Sequence, residues 1–212
     1  MKTPYLAIFA VSSAIFVSCE NPADKTTSAE VGEAVEKETS TEAGGVKYVF
    51  TPESKINFVG SKVTGSHEGG FEKFEGYFHM EDGKPVGSDH VVTIDMTSVW
   101  TDADKLTEHL KAPDFFDVEK YPESKFEITG IEEASEGTVT VSGNLNFHGV
   151  TKNISFPATV SASGDAMKLS AKFDMNRKDF GVSYEGKKDD LIRDEVVIEL
   201  ILEATPEAAP AS

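Results

Sequence analysis

Apolar and polar residues alternate strictly along Thr138–Phe147. Val139, Val141, Gly143, Leu145 and Phe147 fall on one side, and Thr138, Thr140, Ser142, Asn144 and Asn146 on the other. A period of two gives an extended strand one dry face and one wet face, which a helix cannot satisfy. The order recurs at Ile154, Phe156, Ala158 and Val160, and at Met167, Leu169, Ala171, Phe173 and Met175. It recurs again at Val196, Ile198, Leu200 and Leu202, with Glu199 and Glu203 opposite. Looser runs surround Ile56 and Phe58, Phe74 to Phe78, Val92 to Met96, and Phe126 and Ile128. Turn sequences at 81–83, 135–137 and 163–165 separate the runs. The pattern predicts an all-β fold, an antiparallel up-and-down barrel of about eight strands whose closure removes exposed edges. A β-sandwich is the rival architecture.

One segment breaks the alternation. Residues 109–126 set Phe115 and Phe116 between Pro113 and Pro122. Proline fixes φ, removes a ladder donor and pushes its predecessor out of the α region, so this stretch is not regular strand. An aromatic pair on irregular backbone reads as a lid or wall over a barrel mouth. Just before it, Leu106 and Leu110 stand i, i+4 apart, which predicts one short helix over 102–111 with Thr101 or Asp102 as N-cap.

The dry face is rich in phenylalanine, of which the chain has 14. It also carries Gly60, Gly76 and Gly143, small residues that leave space inside. An eight-stranded barrel can be filled by its side chains or can hold one small ligand. Phenylalanine suits either a cavity wall or a plain packed core. Gly69-Gly70 reads as a turn, lacking a phosphate-binding strand–helix context.

The ends differ from this domain. Residues 1–18 carry one lysine and a short apolar stretch ending at Val17-Ser18, which predicts a secretory signal too short to span a membrane. The chain's single cysteine, Cys19, follows at once, an arrangement that resembles a bacterial lipoprotein signal with Cys19 lipidated. Ordinary secretion, with Cys19 a bystander, is the alternative. Residues 19–45 lack aromatics, and from 20 to 45 they carry seven acidic against two basic side chains. They predict a disordered tether with an r.m.s. reach of roughly 28 Å. The barrel domain is assigned to 46–205 and a disordered tail to 206–212. These ends predict an exported bacterial lipoprotein on the periplasmic side of the envelope, membrane-anchored through Cys19.

Composition excludes several functions. A net charge of −17 repels phosphate backbones, so nucleic acid is not a partner. A lone cysteine excludes an internal disulfide. No Gly-x-Ser-x-Gly motif is present, and His67, His79 and His90 have no metal-site spacing. Asp114 and Asp117 flank the phenylalanine pair as turn-orienting residues rather than as an acid and a base. Neither an enzyme nor a cofactor is expected.

Several separated segments together resemble the YceI-like family of exported, lipocalin-like lipid-binding proteins. They are Ser98-Val-Trp-Thr101 with the 109–122 run and Phe126, and the stretch from Gly143 to Lys152 with Ile154 and Pro157. Asn176-Arg-Lys-Asp-Phe-Gly181 and Gly70-Phe-Glu-Lys-Phe-Glu-Gly76 complete the set, and the match covers about 48–204. The resemblance implies a barrel with an elongated apolar cavity, no defining catalytic activity, and a long-chain isoprenoid-type lipid as guest, polyprenyl or quinone-like. It leaves the oligomeric state open. Where the family often has Arg-Asp shortly before the His-Leu pair, this chain has Leu106 and Thr107, so a headgroup contact by that pair does not carry over. Strand register nominates Phe58, Phe74, Phe78, Phe115, Phe116, Phe126, Phe147, Phe156, Phe173 and Phe180 as ligand-binding residues. His109 and Arg177 are candidates for the headgroup, and Arg177 pairing with a carboxylate at a strand end is the competing reading. Binding, sequestration or transport of such a lipid is the expected function. A structural or stress-related interaction module with a packed barrel core is the alternative.

Overall fold

A computed structural model describes residues 21–36, 44–82, 84–86 and 89–208. The expected signal segment and Cys19 lie outside the described residues. An N-terminal arm carries β1 (Thr27–Ser28) and β2 (Glu30–Glu33), preceded by a 3-10 turn at Pro22–Lys25. The barrel strands follow: β3 (Val46–Phe50), β4 (Lys55–Lys62), β5 (Gly65–Phe71), β6 (Phe74–Glu81), the short β7 (Lys84–Pro85), β8 (Val91–Asp95) and β9 (Val99–Thr101). After helix α1 (Asp104–Lys111) come β10 (Glu123–Ser135), β11 (Thr138–Phe147), β12 (Val150–Ser163) and β13 (Ala166–Asn176). A small hairpin of β14 (Gly186–Lys187) and β15 (Asp190–Leu191) leads into β16 (Glu195–Pro206).

Antiparallel ladders run β3–β6–β8–β10–β11–β12–β13–β16, and β16 pairs back onto β3. Eight strands therefore close into a ring, and the up-and-down barrel read from the alternation is what forms. The first three barrel strands are bent into the pairs β3 and β4, β5 and β6, and β8 and β9. The pieces β4, β5 and β9 extend the wall outward from the N-terminal half of β16, on which β4 pairs. At the first bend the buried Ser54 hydroxyl donates to the Glu203 carbonyl (3.0 Å) and accepts the Glu203 N–H (2.9 Å), replacing ladder bonds lost there.

Beyond β9 the wall is completed by α1 and the 112–122 segment rather than by β10. The helix stops at Lys111 because Pro113 forces Ala112 to an extended ψ of 162°. Its N-cap is Ala103, not Thr101 or Asp102, and no side chain caps it. Asp102 is instead engaged by His67 at 2.8 Å, and Thr101 forms a hydrogen bond with Thr107 at 2.9 Å.

Two terminal expectations change. Residues 21–36, expected as part of a disordered tether, form an ordered strap along the barrel. The β12–β13 ladder ends at Thr159 and Ser170. The strap then fills the gap, β2 pairing antiparallel with β12 over Lys152–Ser155 and β1 parallel with β13 at Phe173 and Asp174. Composition measures how much core a segment can bury; it says nothing of backbone groups elsewhere that need partners. At the other end β16 continues to Pro206, and Glu207 bonds Lys47 through its backbone and an exposed ion pair at 2.9 Å. The tail assigned to 206–212 is therefore ordered at its start.

Candidate functional site

The inner face of the ring encloses an apolar cavity of about 600 Å³. Its wall takes alternate residues from each strand: Val139, Val141, Leu145 and Phe147 from β11, and Val196, Ile198, Leu200, Leu202 and Ala204 from β16. The β16 residues span eight steps, roughly 26 Å of strand at about 3.3 Å per residue, so the cavity is elongated. A barrel interior filled by its own side chains is therefore not what forms.

Ten of the nominated residues border this space: Phe58, Phe78, Phe115, Phe116, Phe126, Phe147, Phe156, Phe173, His109 and Arg177. Phe74 and Phe180 do not. Phe74 packs edge-on against Phe50 (6.4 Å), and Phe50 takes the place on the wall. Phe180 sits in a 3-10 turn at Arg177–Phe180, wholly buried against Phe147. Register missed Phe50, Phe71 and Tyr184, which also line the cavity. Phe71 stands across the ladder from Ile56, and this pairing with a recognised strand was the available signal.

The glycines divide into two kinds. A Cβ on Gly60 would meet nothing within 4 Å, so this position opens the cavity as expected. Gly76 and Gly143 do something else. A Cβ there would fall 2.4 Å from the rings of Phe50 and Phe126 respectively, and one on Gly69 would fall 2.5 Å from Phe58. These glycines let a neighbouring ring lie flat along the wall. Gly69 and Gly70 accordingly belong to β5 and not to a turn.

The 109–122 segment closes one end. Phe115 is 6% exposed and packs with Val99, Leu110 and Val182 in a small core of its own. Its ring meets His109 edge-on at 5.0 Å and Tyr184 at 5.1 Å. Phe116 turns the other way, toward Phe147 (5.5 Å) and Phe71 (6.5 Å). Asp117 adopts φ 48° at the turn, and its carbonyl accepts the N–H groups of Lys120 and Tyr121.

The polar candidates have structural partners. The Arg177 guanidinium donates to the Val182 carbonyl (2.7 Å) and the Arg193 carbonyl (3.1 Å), with Asp194 at 3.4 Å. Burial pushes its pKa down against the pull of Asp194 and Glu185, and three partners hold the charge in place. Its chemistry is that of a clamp on the 182–194 loop. His109 pairs with Asp114 at 2.9 Å, and His148 with the Phe180 carbonyl at 3.2 Å. Among the described residues no group of three or more His, Cys, Asp or Glu is arranged to hold a metal ion.

Lys62, His67, Lys187 and Asp190 edge the cavity beside the β14–β15 hairpin and make a polar rim. Asp190 takes hydrogen bonds from Lys62 and from the Thr64 hydroxyl (2.9 Å) and N–H (3.2 Å). The Lys62 bond holds the Asp190 carboxyl below its usual range, and His67 does the same for Asp102. A carboxyl depressed on folding contributes stability above its unfolded pKa, about 3.9, and loses it as pH falls through the folded value. The rim should therefore stay paired at pH 5. The Thr64 amide resonance should titrate with a midpoint below 3.9, about the ordinary value; a midpoint above that would contradict the assignment.

Residues 48–204 match the family model described as the YceI-like domain. A UPF0312 protein of Pseudomonas putida (strain GB-1) is 32% identical over 157 residues, covering 68% of this chain and 81% of that protein. A UPF0312 protein of Pseudomonas fluorescens (strain SBW25) is 33% identical over 124 residues, 56% of this chain and 65% of that one. Among solved structures, Burkholderia cenocepacia BcnA superposes with a TM-score of 0.66 at 28% identity, covering 72% of this chain and 97% of its own. A polyisoprenoid binding domain from Saccharophagus degradans, implicated in plant cell wall breakdown, superposes with a TM-score of 0.63 at 18% identity. It covers 76% of this chain and 99% of its own, and at that identity the likeness speaks for the fold alone. With its closed barrel, its lined cavity and a family match over 157 of 212 residues, this chain belongs to the YceI-like family.

Proposed function

We propose that the protein binds a long-chain isoprenoid-type lipid, polyprenyl or quinone-like, in its barrel and sequesters or carries it without chemical change. The observation that carries this reading is the elongated, almost wholly apolar cavity of about 600 Å³. A polyprenyl tail offers no hydrogen bonds, so its affinity must come from area removed from water. At roughly 25 cal/mol per Å², several hundred Å² contribute on the order of 10 kcal/mol before ordering costs. The related fold of a polyisoprenoid binding domain supports the same class of guest.

The tail lies along the phenylalanine wall and the head rests at the polar rim. Lys62, His67, His109 and Arg177 already face carboxylates, so an uncharged head fits better than a diphosphate. The barrel is carried as an exported lipoprotein on the periplasmic side, held to the membrane through lipidated Cys19. Native mass spectrometry after incubation with a polyprenol, a polyprenyl diphosphate and a menaquinone tests the ligand. One-to-one complexes with the uncharged lipids, at least as tight as with the diphosphate, are expected; an empty barrel in all three sinks the proposal. Cys19→Ser should abolish palmitate incorporation in a bacterial host, and labelling that persists would refute the anchor.

A further inference from the structure

The strap occupies a seam in the barrel wall. Between the mouth and the Thr159–Ser170 pair, β12 and β13 make no ladder with each other and each pairs with the N-terminal segment instead. Cavity-lining residues stand directly behind: Ile154 and Phe156 on β12, Phe173 and Met175 on β13. Phe156 and Phe173 stack across the seam, centroids 4.2 Å apart and 9° from parallel. Like α1 and the 112–122 segment beyond β9, the strap is a piece of wall supplied from outside the eight strands, but it joins the wall by β-pairing.

The latch is polar and specific. Asp174 is 3% exposed, and its carboxylate accepts hydrogen bonds from Thr26 (2.8 Å) and Ser28 (3.0 Å). The Ala29 N–H donates to the Asp174 carbonyl at 2.7 Å. Buried Asn144 accepts the Val35 N–H (3.0 Å) and donates to the Val35 carbonyl (2.7 Å), as a neighbouring strand would. Apolar attachment is slight, since only Ala29 and Val31 pack on the core and most of 24–36 is exposed. A strand held mainly by hydrogen bonds, with little apolar area buried beneath it, opens at lower cost than one held by a large apolar face.

We propose that residues 21–36 are a detachable strand sealing a lateral portal between β12 and β13, and that the guest passes through this seam. When the strap lifts, swinging of Phe156 and Phe173 exposes the cavity along its side. A long tail then enters sideways instead of threading end-on past Phe115 and Phe116. The proposal rests on the lipid-binding reading and adds the route.

The test locks and loosens the strap without touching the cavity. Glu33 and Lys152 face each other across β2 and β12 in an outward ion pair. In a Cys19→Ser chain, Glu33→Cys with Lys152→Cys can form a disulfide there. Uptake and release are followed with a polyprenol and with the uncharged fluorescent hydrophobe N-phenyl-1-naphthylamine. The oxidised protein should exchange either probe at least about tenfold more slowly than the same protein reduced, with little change in affinity, since only the rates are altered. Thr26→Ala with Ser28→Ala should exchange faster than wild type. Equal rates for oxidised and reduced protein, with the probe bound, overturn the portal and leave lipid binding standing. Failure of both probes to enter overturns both. Hydrogen exchange gives a readout free of ligand: the Ala29, Val31 and Val35 amides should exchange well before those of β12 and β13. Exchange only with global unfolding would also overturn the portal.

Discussion

Phe115→Ala should destabilise the barrel by about 3–5 kcal/mol, the usual cost of truncating a buried aromatic. For a domain of this size, about 2–4 °C per kcal/mol makes that a fall in Tm of roughly 10 °C. Phe116→Ala should cost much less and act on the guest instead. The two residues are adjacent, yet the backbone sends them to different places. Both border the cavity, but Phe115 is a buried member of the small core with Val99, Leu110 and Val182, whereas Phe116 only packs against that core and turns toward Phe71 and Phe147. The first is the foot that fixes the lid and the second is the face it shows the ligand. Denaturant unfolding and lipid-exchange rates, measured on both variants, separate the roles. Equal stability losses would show that no such division exists.

Gly60→Leu should reduce lipid affinity at least about tenfold while shifting stability by less than about 1 kcal/mol. Its Cβ would point into open cavity with no atom within 4 Å, so the new side chain occupies the guest's volume. Replacing a strand glycine also lowers the entropy of the unfolded chain, which offsets any small strain. Gly143→Leu is the opposite case. Its Cβ would fall 2.4 Å from the Phe126 ring and 2.8 Å from the Glu127 carbonyl, so overpacking should cost about 1–3 kcal/mol or more. Titration calorimetry with a polyprenol, beside thermal melts, distinguishes the two. Unchanged affinity in a folded Gly60→Leu barrel would mean that the guest does not use this space.

Much of this was legible in the chain. Alternation gave the strands, and the inner faces of β11, β12, β13 and β16 are those that periodicity names, because a period of two admits no other assignment while one face stays dry. Prolines 113 and 122 marked the one region where the wall is not strand. What escaped was decided between segments. Gly143 looked like space because the sequence does not show that Phe126 of the next strand lies across it. For Arg177 a carboxylate partner was foreseeable, but its acceptors at the Val182 and Arg193 carbonyls were not, because they belong to an irregular loop. Residues 21–36 looked disordered because their order depends on an unfilled seam far along the chain.

That last dependence also sets the order of assembly. The strap's partners, Lys152 and Asp174, lie 119 and 148 residues from Glu33 and Thr26. Closing so long a loop is entropically costly until the distant strands are already in place, and contacts of large sequence separation form slowly. The N-terminal segment leaves the ribosome first but can dock only once β12 and β13 have formed. Each molecule thus passes through a nearly finished barrel whose side is still unsealed, and a guest present at that moment can be built in rather than admitted later.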